Sequence, residues 1–199
     1  MTADEQLMHR IRTHWAAQIS AACSTSSVPP EFLAALIANE SGGDNENPPR
    51  FEPGVYRHLA AVQKGTPSPG DVLRHRPAHF GAIQQRDLEG FTDDDLRGLA
   101  SSWGLTQVMG YHLLSPLGRA AAAPKLLLGS AFNLHEALRL LAGFAQEFQL
   151  DLRIEYEELF RCWNTGRPDG ATFDPRYVEN GLRRLESYKA SRGVEESKS

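Results

Sequence analysis

Prolines open and glycines close one apolar segment, and those boundaries define a short helix that the rest of the chain must accommodate. The segment is Pro29-Pro30-Glu31-Phe32-Leu33-Ala34-Ala35-Leu36-Ile37-Ala38-Asn39-Glu40-Ser41-Gly42-Gly43. Proline's fixed φ suits a first helical turn, where its missing N–H is no loss, and glycine accepts the left-handed backbone that ends a helix. Leu33, Leu36, Ile37 and Glu40 recur at i, i+3, i+4 and i+7 and so share a face. The last residue of this apolar stripe is a carboxylic acid. Apolar neighbours strip water from it and the negative end of the helix lies beside it, so both effects favour the protonated form. A proton retained near neutral pH is what a general acid needs. For a lone helix-end glutamate the commoner outcome is a solvated side chain, so the inference depends on what the other segments add.

At 199 residues the chain suits one domain with a sizeable core. The expected division is a single domain over 1–192, with an N-terminal helix at 3–24 and a core at 30–190, followed by a polar tail at 193–199 that frays. No apolar run approaches the ~18 residues needed to span a bilayer, and Met1-Thr2-Ala3-Asp4-Glu5-Gln6 has no pattern of a secretory signal. A formal charge of −4 argues against a nucleic-acid binder, which needs a basic footprint. One stretch departs from that balance: Arg50, Arg57, Lys64, Arg74, Arg76 and Arg86 stand against Glu52 and Asp71. A solvated loop face accounts for it most simply, and a basic rim to a cleft that takes an anionic polymer is the alternative. Cys23 and Cys162 match no metal-ligand spacing, and two buried thiols are expected in preference to a disulfide.

Helical periodicity runs through nearly all of the sequence, so the fold class is all-α. Leu7, Ile11, Trp15 and Ile19 place a first amphipathic helix over about 3–24. A short helix is expected from Phe51 to Gln63, ending at Gly65. Loop composition and uncertain periodicity over 65–90 leave room for a small β-hairpin or irregular insertion there. Thr92 reads as an N-cap with Asp93, Asp94 and Asp95 filling the first turn. After Ser115-Pro116 come an alanine-rich helix, a helix over Asn133–Gln149 with Leu134, Leu138, Leu141 and Phe144 or Phe148 inward, one over Ile154–Trp163, and a last from Pro175 to about Ser191.

Two further segments carry chemistry. In Ser101-Ser102-Trp103-Gly104-Leu105-Thr106-Gln107-Val108-Met109-Gly110, a glycine able to lie close to a ligand precedes by three residues an amide that both donates and accepts hydrogen bonds, as sugar hydroxyl and N-acetyl groups require. The other is Cys162-Trp163-Asn164-Thr165-Gly166, followed by Asp174-Pro175-Arg176-Tyr177-Val178. Each has a plainer explanation alone: Trp103 and Tyr177 as core, Asn164-Thr165-Gly166 as a helix C-cap.

In this order, Glu40-Ser41, Gly104-Leu105-Thr106-Gln107, Cys162-Trp163-Asn164-Thr165-Gly166 and Tyr177-Val178 resemble the lysozyme-like superfamily, and within it the soluble lytic transglycosylases, over residues from about 30 to 190. The chain departs from that pattern in a longer span between Glu40 and Gly104, in Thr106 for a methionine and in Trp163 for a tyrosine. The Arg50-Phe51-Glu52-Pro53 insertion and the Ser-Trp-Gly-x-x-Gln-x-Met-Gly string are also similar to phage-type N-acetylmuramidases.

The resemblance implies a helical domain with a cleft that binds peptidoglycan glycan strands, without metal or organic cofactor, and that acts at the cell envelope. It implies cleavage of the β-1,4 bond between N-acetylmuramic acid and N-acetylglucosamine, with Glu40 as acid and then base and 1,6-anhydro ends as product. A hydrolytic muramidase would instead use Glu40 with a second carboxylate, for which Glu52 is the first candidate ahead of Asp44 and Glu46. Ser41, Gln107 and Asn164 would contact the sugar, Tyr177 would reach Glu40, Gly104 would approach the ligand, and Trp103 or Trp163 would stack on a ring. Three other outcomes stay open: a fold that binds peptidoglycan without cutting it, an enzyme directed at chitin-like polymers, and an ordinary helical interaction protein in which Glu40, Gln107 and Asn164 never meet.

Overall fold

The computed structural model describes residues 1–67, 78–114 and 123–196. Its first helix, α1 (Ala3–Cys23), starts at a Thr2 capping box in which the hydroxyl accepts from the Glu5 N–H and the Glu5 carboxylate accepts from the Thr2 N–H. α2 (Pro30–Glu40) follows. Every residue of α2 from Phe32 to Ala38 is buried, so this helix lies inside the core and does not present a single apolar stripe to it. α1, α6 (Ser130–Phe148), α7 (Tyr156–Thr165) and α8 (Tyr177–Glu196) supply most of the rest of that core, with Val28 and Leu105 added from loops. Phe32, for example, meets Phe160 of α7 with ring centroids 4.6 Å apart. The glycines that end α2 take positive φ, +65° at Gly42 and +84° at Gly43, and the Gly43 carbonyl accepts the Trp15 indole N–H at 2.9 Å.

A second, smaller core packs Val55 and Leu59 of α3 (Pro53–Gln63), Phe80 of the short α4 (Ala78–Gly81), Leu88 of the 3-10 turn Gln85–Leu88, Leu96 and Leu99 of α5 (Asp93–Leu99), and Tyr111. Thr92 caps α5 as expected: its hydroxyl accepts from the Asp95 N–H and the Asp95 carboxylate accepts from the Thr92 N–H. Between the two cores lies a three-stranded antiparallel sheet, β1 (Arg50–Phe51), β2 (Ser101–Trp103) and β3 (Val108–Met109), with Arg50 opposite Ser102 and Ser102 opposite Met109. Val108, Leu113, Leu127, Leu140, Phe144 and Cys162 fill the space beneath it.

The fold is mostly helical, and four boundaries differ from expectation. Phe51 belongs to β1, so the helix after it begins at Pro53. The hairpin among the described residues is β2–β3 over 101–109; the described part of 65–90 holds the short α4 and a 3-10 turn at Gln85–Leu88, and residues 68–77 of that span, including Asp71, Arg74 and Arg76, fall outside the described residues. The penultimate helix begins at Tyr156, leaving Ile154 71% exposed. The last helix continues past Gly193 to Glu196, so that much of the expected tail is helical. Most of the alanine-rich segment after Ser115-Pro116 also lies outside the described residues. Cys23 and Cys162 are both buried free thiols. Among the described residues no helix is long and apolar enough to cross a membrane.

Candidate active-site cleft

The C-terminus of α2, the sheet and the adjoining faces of α6 and α7 enclose a cleft of about 200 Å³. It is lined by Glu40, Arg50, Glu52, Ser102, Gln107, Val108, Met109, Tyr111, His112, Leu140, Phe144, Trp163, Asn164, Thr165 and Gly166. Five of the residues singled out from sequence thus come together from four separate segments: Glu40, Glu52, Gln107, Trp163 and Asn164.

Glu40 is the last residue of α2 and is part-buried at the cleft. Burial raises its carboxyl from 4.5 to about 7, while a hydrogen bond from the Tyr177 hydroxyl and the charge of Arg50 act in the opposite direction. The outcome is set by desolvation, since the two stabilising contacts do not restore an ordinary carboxylate. Tyr177 does not line the cleft. It holds Glu40 from behind, out of the α8 side of the core, and its own hydroxyl is pushed well above the usual tyrosine range by burial and by the Glu40 charge.

Glu52 reaches the cleft because strand alternation sends Arg50 and Glu52 to one face and Phe51 to the other, where its ring meets Tyr56 at 5.8 Å. Although Glu52 occupies the N-cap position of α3, its carboxylate makes no capping bond. It pairs instead with Arg50 at 2.8 Å. The Arg50 side chain remains 75% exposed against 27% for Glu52, so the pair presents its guanidinium outward.

Gln107 has φ +52°, a left-handed backbone costing a non-glycine residue of order 1 kcal/mol. The side chain repays the strain by locking the β2–β3 turn: its carbonyl accepts from the Ser102 hydroxyl at 2.8 Å and its amide donates to the Gly104 carbonyl at 2.8 Å. Part of the hydrogen-bonding capacity expected to meet a sugar is therefore used within the loop. Asn164 is exposed at the end of α7, and its side-chain oxygen accepts from the Phe173 N–H at 3.4 Å.

Ser41, Trp103 and Gly104 do not line the cleft. The Ser41 hydroxyl bonds back to the Ile37 carbonyl at 3.3 Å and serves the helix end. Trp103 donates its indole N–H to the Gly98 carbonyl at 2.9 Å and packs under the sheet. Gly104 faces protein instead of ligand: a Cβ there would lie 2.2 Å from the Leu127 carbonyl oxygen and 2.5 Å from Nδ2 of Asn133. Asn133 organises this turn, accepting from the Thr106 N–H and hydroxyl at 2.9 and 2.7 Å and donating to the Trp103 and Leu127 carbonyls at 2.8 and 3.1 Å. Asn133, Thr106 and Leu127 in this four-bond clamp are fully buried, and the bond to the Trp103 carbonyl is part-buried.

Sequence inspection missed Asn133, and it missed Ser102, Met109, His112 and Thr165 as cleft residues. Ser102 shares the cleft face through its cross-strand register opposite Arg50 and Met109, which appears only once the strands are paired. Among the described residues no group of three or more His, Cys, Asp or Glu side chains is placed to hold a metal ion. No protein-family model, curated protein or solved structure matches the chain.

Proposed function

We propose that the protein is a glycan-cleaving enzyme of lysozyme-like architecture, a lytic transglycosylase acting on peptidoglycan strands with Glu40 as the single acid and base. One observation carries this reading: a carboxyl raised to about 7 stands at a polar cleft with a tyrosine hydroxyl bonded to it. Protonated Glu40 gives its proton to the glycosidic oxygen, the C1–O bond breaks with its electron pair on the departing N-acetylglucosamine, and C1 becomes oxocarbenium-like. Glu40, now a carboxylate, takes the proton of the muramic acid C6 hydroxyl as that oxygen closes onto C1. The 1,6-anhydro end forms and the acid is restored. The amide of Asn164 and the ring of Trp163 supply polar and stacking contacts to the sugars.

Hydrolysis is the second reading, favoured by the presence of Glu52 in the same cleft. Its engagement with Arg50 at 2.8 Å argues for the first, because a carboxylate oxygen held by a guanidinium is not free to position an attacking water. Mass spectrometry of purified sacculi digested by the wild type and by Glu40→Gln separates them. Anhydro-ended products from the wild type alone support the transglycosylase, and reducing-end products one water heavier assign a muramidase. Cutting of chitooligosaccharides in place of sacculi would move the substrate to chitin, and strand binding without any cutting would leave a binding protein.

A further inference from the structure

A continuous hydrogen-bonded chain runs from the first helix to Glu40 through residues that never touch the cleft. Asp4, in the first turn of α1, accepts from Arg184 of α8 at 3.2 Å and also pairs with Arg183. Arg184 in turn donates from Nη1 to the Ala38 carbonyl at 3.2 Å and to the Asn39 side-chain oxygen at 2.7 Å. Asn39 donates its amide to the Tyr177 carbonyl at 3.0 Å, and Tyr177 donates its hydroxyl to Glu40. Arg184 thus satisfies one of the four carbonyls that a helix C-terminus leaves open, in the very turn that carries Glu40. Asn39 ties the same turn to the start of α8.

We infer that Arg184, oriented by Asp4, is a positioning residue that fixes the last turn of α2 against α8 and so sets where Glu40 and Tyr177 stand relative to the bond being cut. This rests on the proposed reaction for its catalytic consequence, although not for its structural one. The guanidinium suits the task because its rigid fork binds a carboxylate on one edge and two oxygens of α2 on another, which a single ammonium cannot do. Its side chain is 20% exposed and that of Asp4 15%, so the contacts are shielded from water. Burial pushes the Asp4 carboxyl up, yet the bonds and charges of Arg183 and Arg184 leave it below its ordinary value, and it stays ionised to hold the fork.

The test compares wild type, Arg184→Met, Arg184→Lys, Asp4→Asn and Glu40→Gln by two readouts. In the first, kcat and KM are measured on soluble glycan strands alongside Tm. Arg184→Met is expected to lower kcat about tenfold or more with KM within twofold, since sub-ångström misplacement of a reacting group costs rate before binding. Arg184→Lys is expected to recover part of the loss, and Asp4→Asn to lose less than Arg184→Met. In the second, the Glu40 carboxyl is titrated by carbon NMR without substrate. The titratable and charged groups facing Glu40 are Tyr177 of α8, Arg50 of β1, and Glu52 and His112 along the cleft, and none is altered by these variants. Loosening the Tyr177 bond is expected to move the midpoint of Arg184→Met above that of the wild type.

An unchanged midpoint together with an unchanged kcat overturns the inference, as does a kcat loss that merely tracks the loss of Tm across Arg184→Met, Arg184→Lys and Asp4→Asn. Should Arg184→Met fail to fold, Asp4→Asn decides by the same criteria. If the wild type cuts no glycan, the proposed reaction falls while the NMR midpoint still decides the positioning.

Discussion

The Tyr177 hydroxyl donates to Oε1 of Glu40, joining the first turn of α8 to the last residue of α2 across 137 positions of sequence. This bond favours the ionised carboxylate and therefore opposes the burial that raises it to about 7. Tyr177→Phe removes that opposition without opening the core. The Glu40 midpoint is expected to rise above the wild-type value, and the alkaline limb of the pH–rate profile to move upward with it. A midpoint that falls would mean that water entering beside the phenyl ring outweighs the lost bond.

Glu40 also imposes a pH-dependent cost on folding. Its carboxyl titrates near 4.5 in an unfolded chain and at about 7 when folded. Below the lower value both states are protonated and nothing is lost. As pH rises through this window the unfolded chain releases a proton that the folded chain keeps, so stability declines by on the order of 3 kcal/mol and levels off above the folded value. Glutamine has no proton to lose and still accepts from Tyr177. Glu40→Gln is therefore expected to match the wild type in denaturant unfolding at pH 4 and to exceed it by about 3 kcal/mol at pH 8. Equal stabilities at both pH values would place the carboxyl in the ordinary range.

Much of this was legible in the chain, for reasons tied to particular residues. Pro30 and Gly42-Gly43 mark α2 because their φ preferences act locally, and Thr92 with Asp95 marks α5 for the same reason. The convergence of Glu40, Gln107 and Asn164 followed from the order of three motifs. What local rules could not give was the direction in which each motif faces. Gly104 looks like a ligand-facing glycine, and only the contact with Leu127 and Asn133 reveals a packing constraint. Phe51 reads as the start of a helix running to Gln63, and the strand state of Arg50-Phe51 depends on Ser101-Ser102, some 50 residues away and invisible to periodicity. Asn133 sits within a helical apolar run and gives no sign that its amide has four partners elsewhere.

The Asn133 clamp predicts a large stability effect with a local cause. Asn133→Ala strands the Leu127 carbonyl and the Thr106 N–H and hydroxyl in the buried interior, where each unsatisfied group costs about 1–3 kcal/mol, and also removes the part-buried bond to the Trp103 carbonyl. Gly104→Ala forces a Cβ against backbone at φ +70°. Each variant is expected to lose about 3 kcal/mol or more in thermal or denaturant unfolding, whereas Thr92→Ala at the exposed cap of α5 is expected to lose only about 1 kcal/mol. A cost at Asn133 no larger than at Thr92 would show that the turn relaxes to meet other partners.

Glu52 distinguishes the two chemistries most directly, because the variant affects them through different atoms. If Glu52 activates water, Glu52→Gln abolishes the reaction and no pH restores it. If the proposed transglycosylase reaction holds, Glu40 alone handles both proton transfers and the anhydro product persists. The Arg50 charge, no longer offset at 2.8 Å by a carboxylate, then weighs more heavily on Glu40. The expected result for Glu52→Gln is retained anhydro product with the alkaline limb displaced to lower pH, read from product masses across a pH series. Arg50→Leu should displace the same limb upward, since it removes a cation that lowers the Glu40 midpoint. Opposite displacements by the two halves of one ion pair identify the pair as an electrostatic setting on Glu40, and loss of all product with Glu52→Gln alone identifies Glu52 as the base.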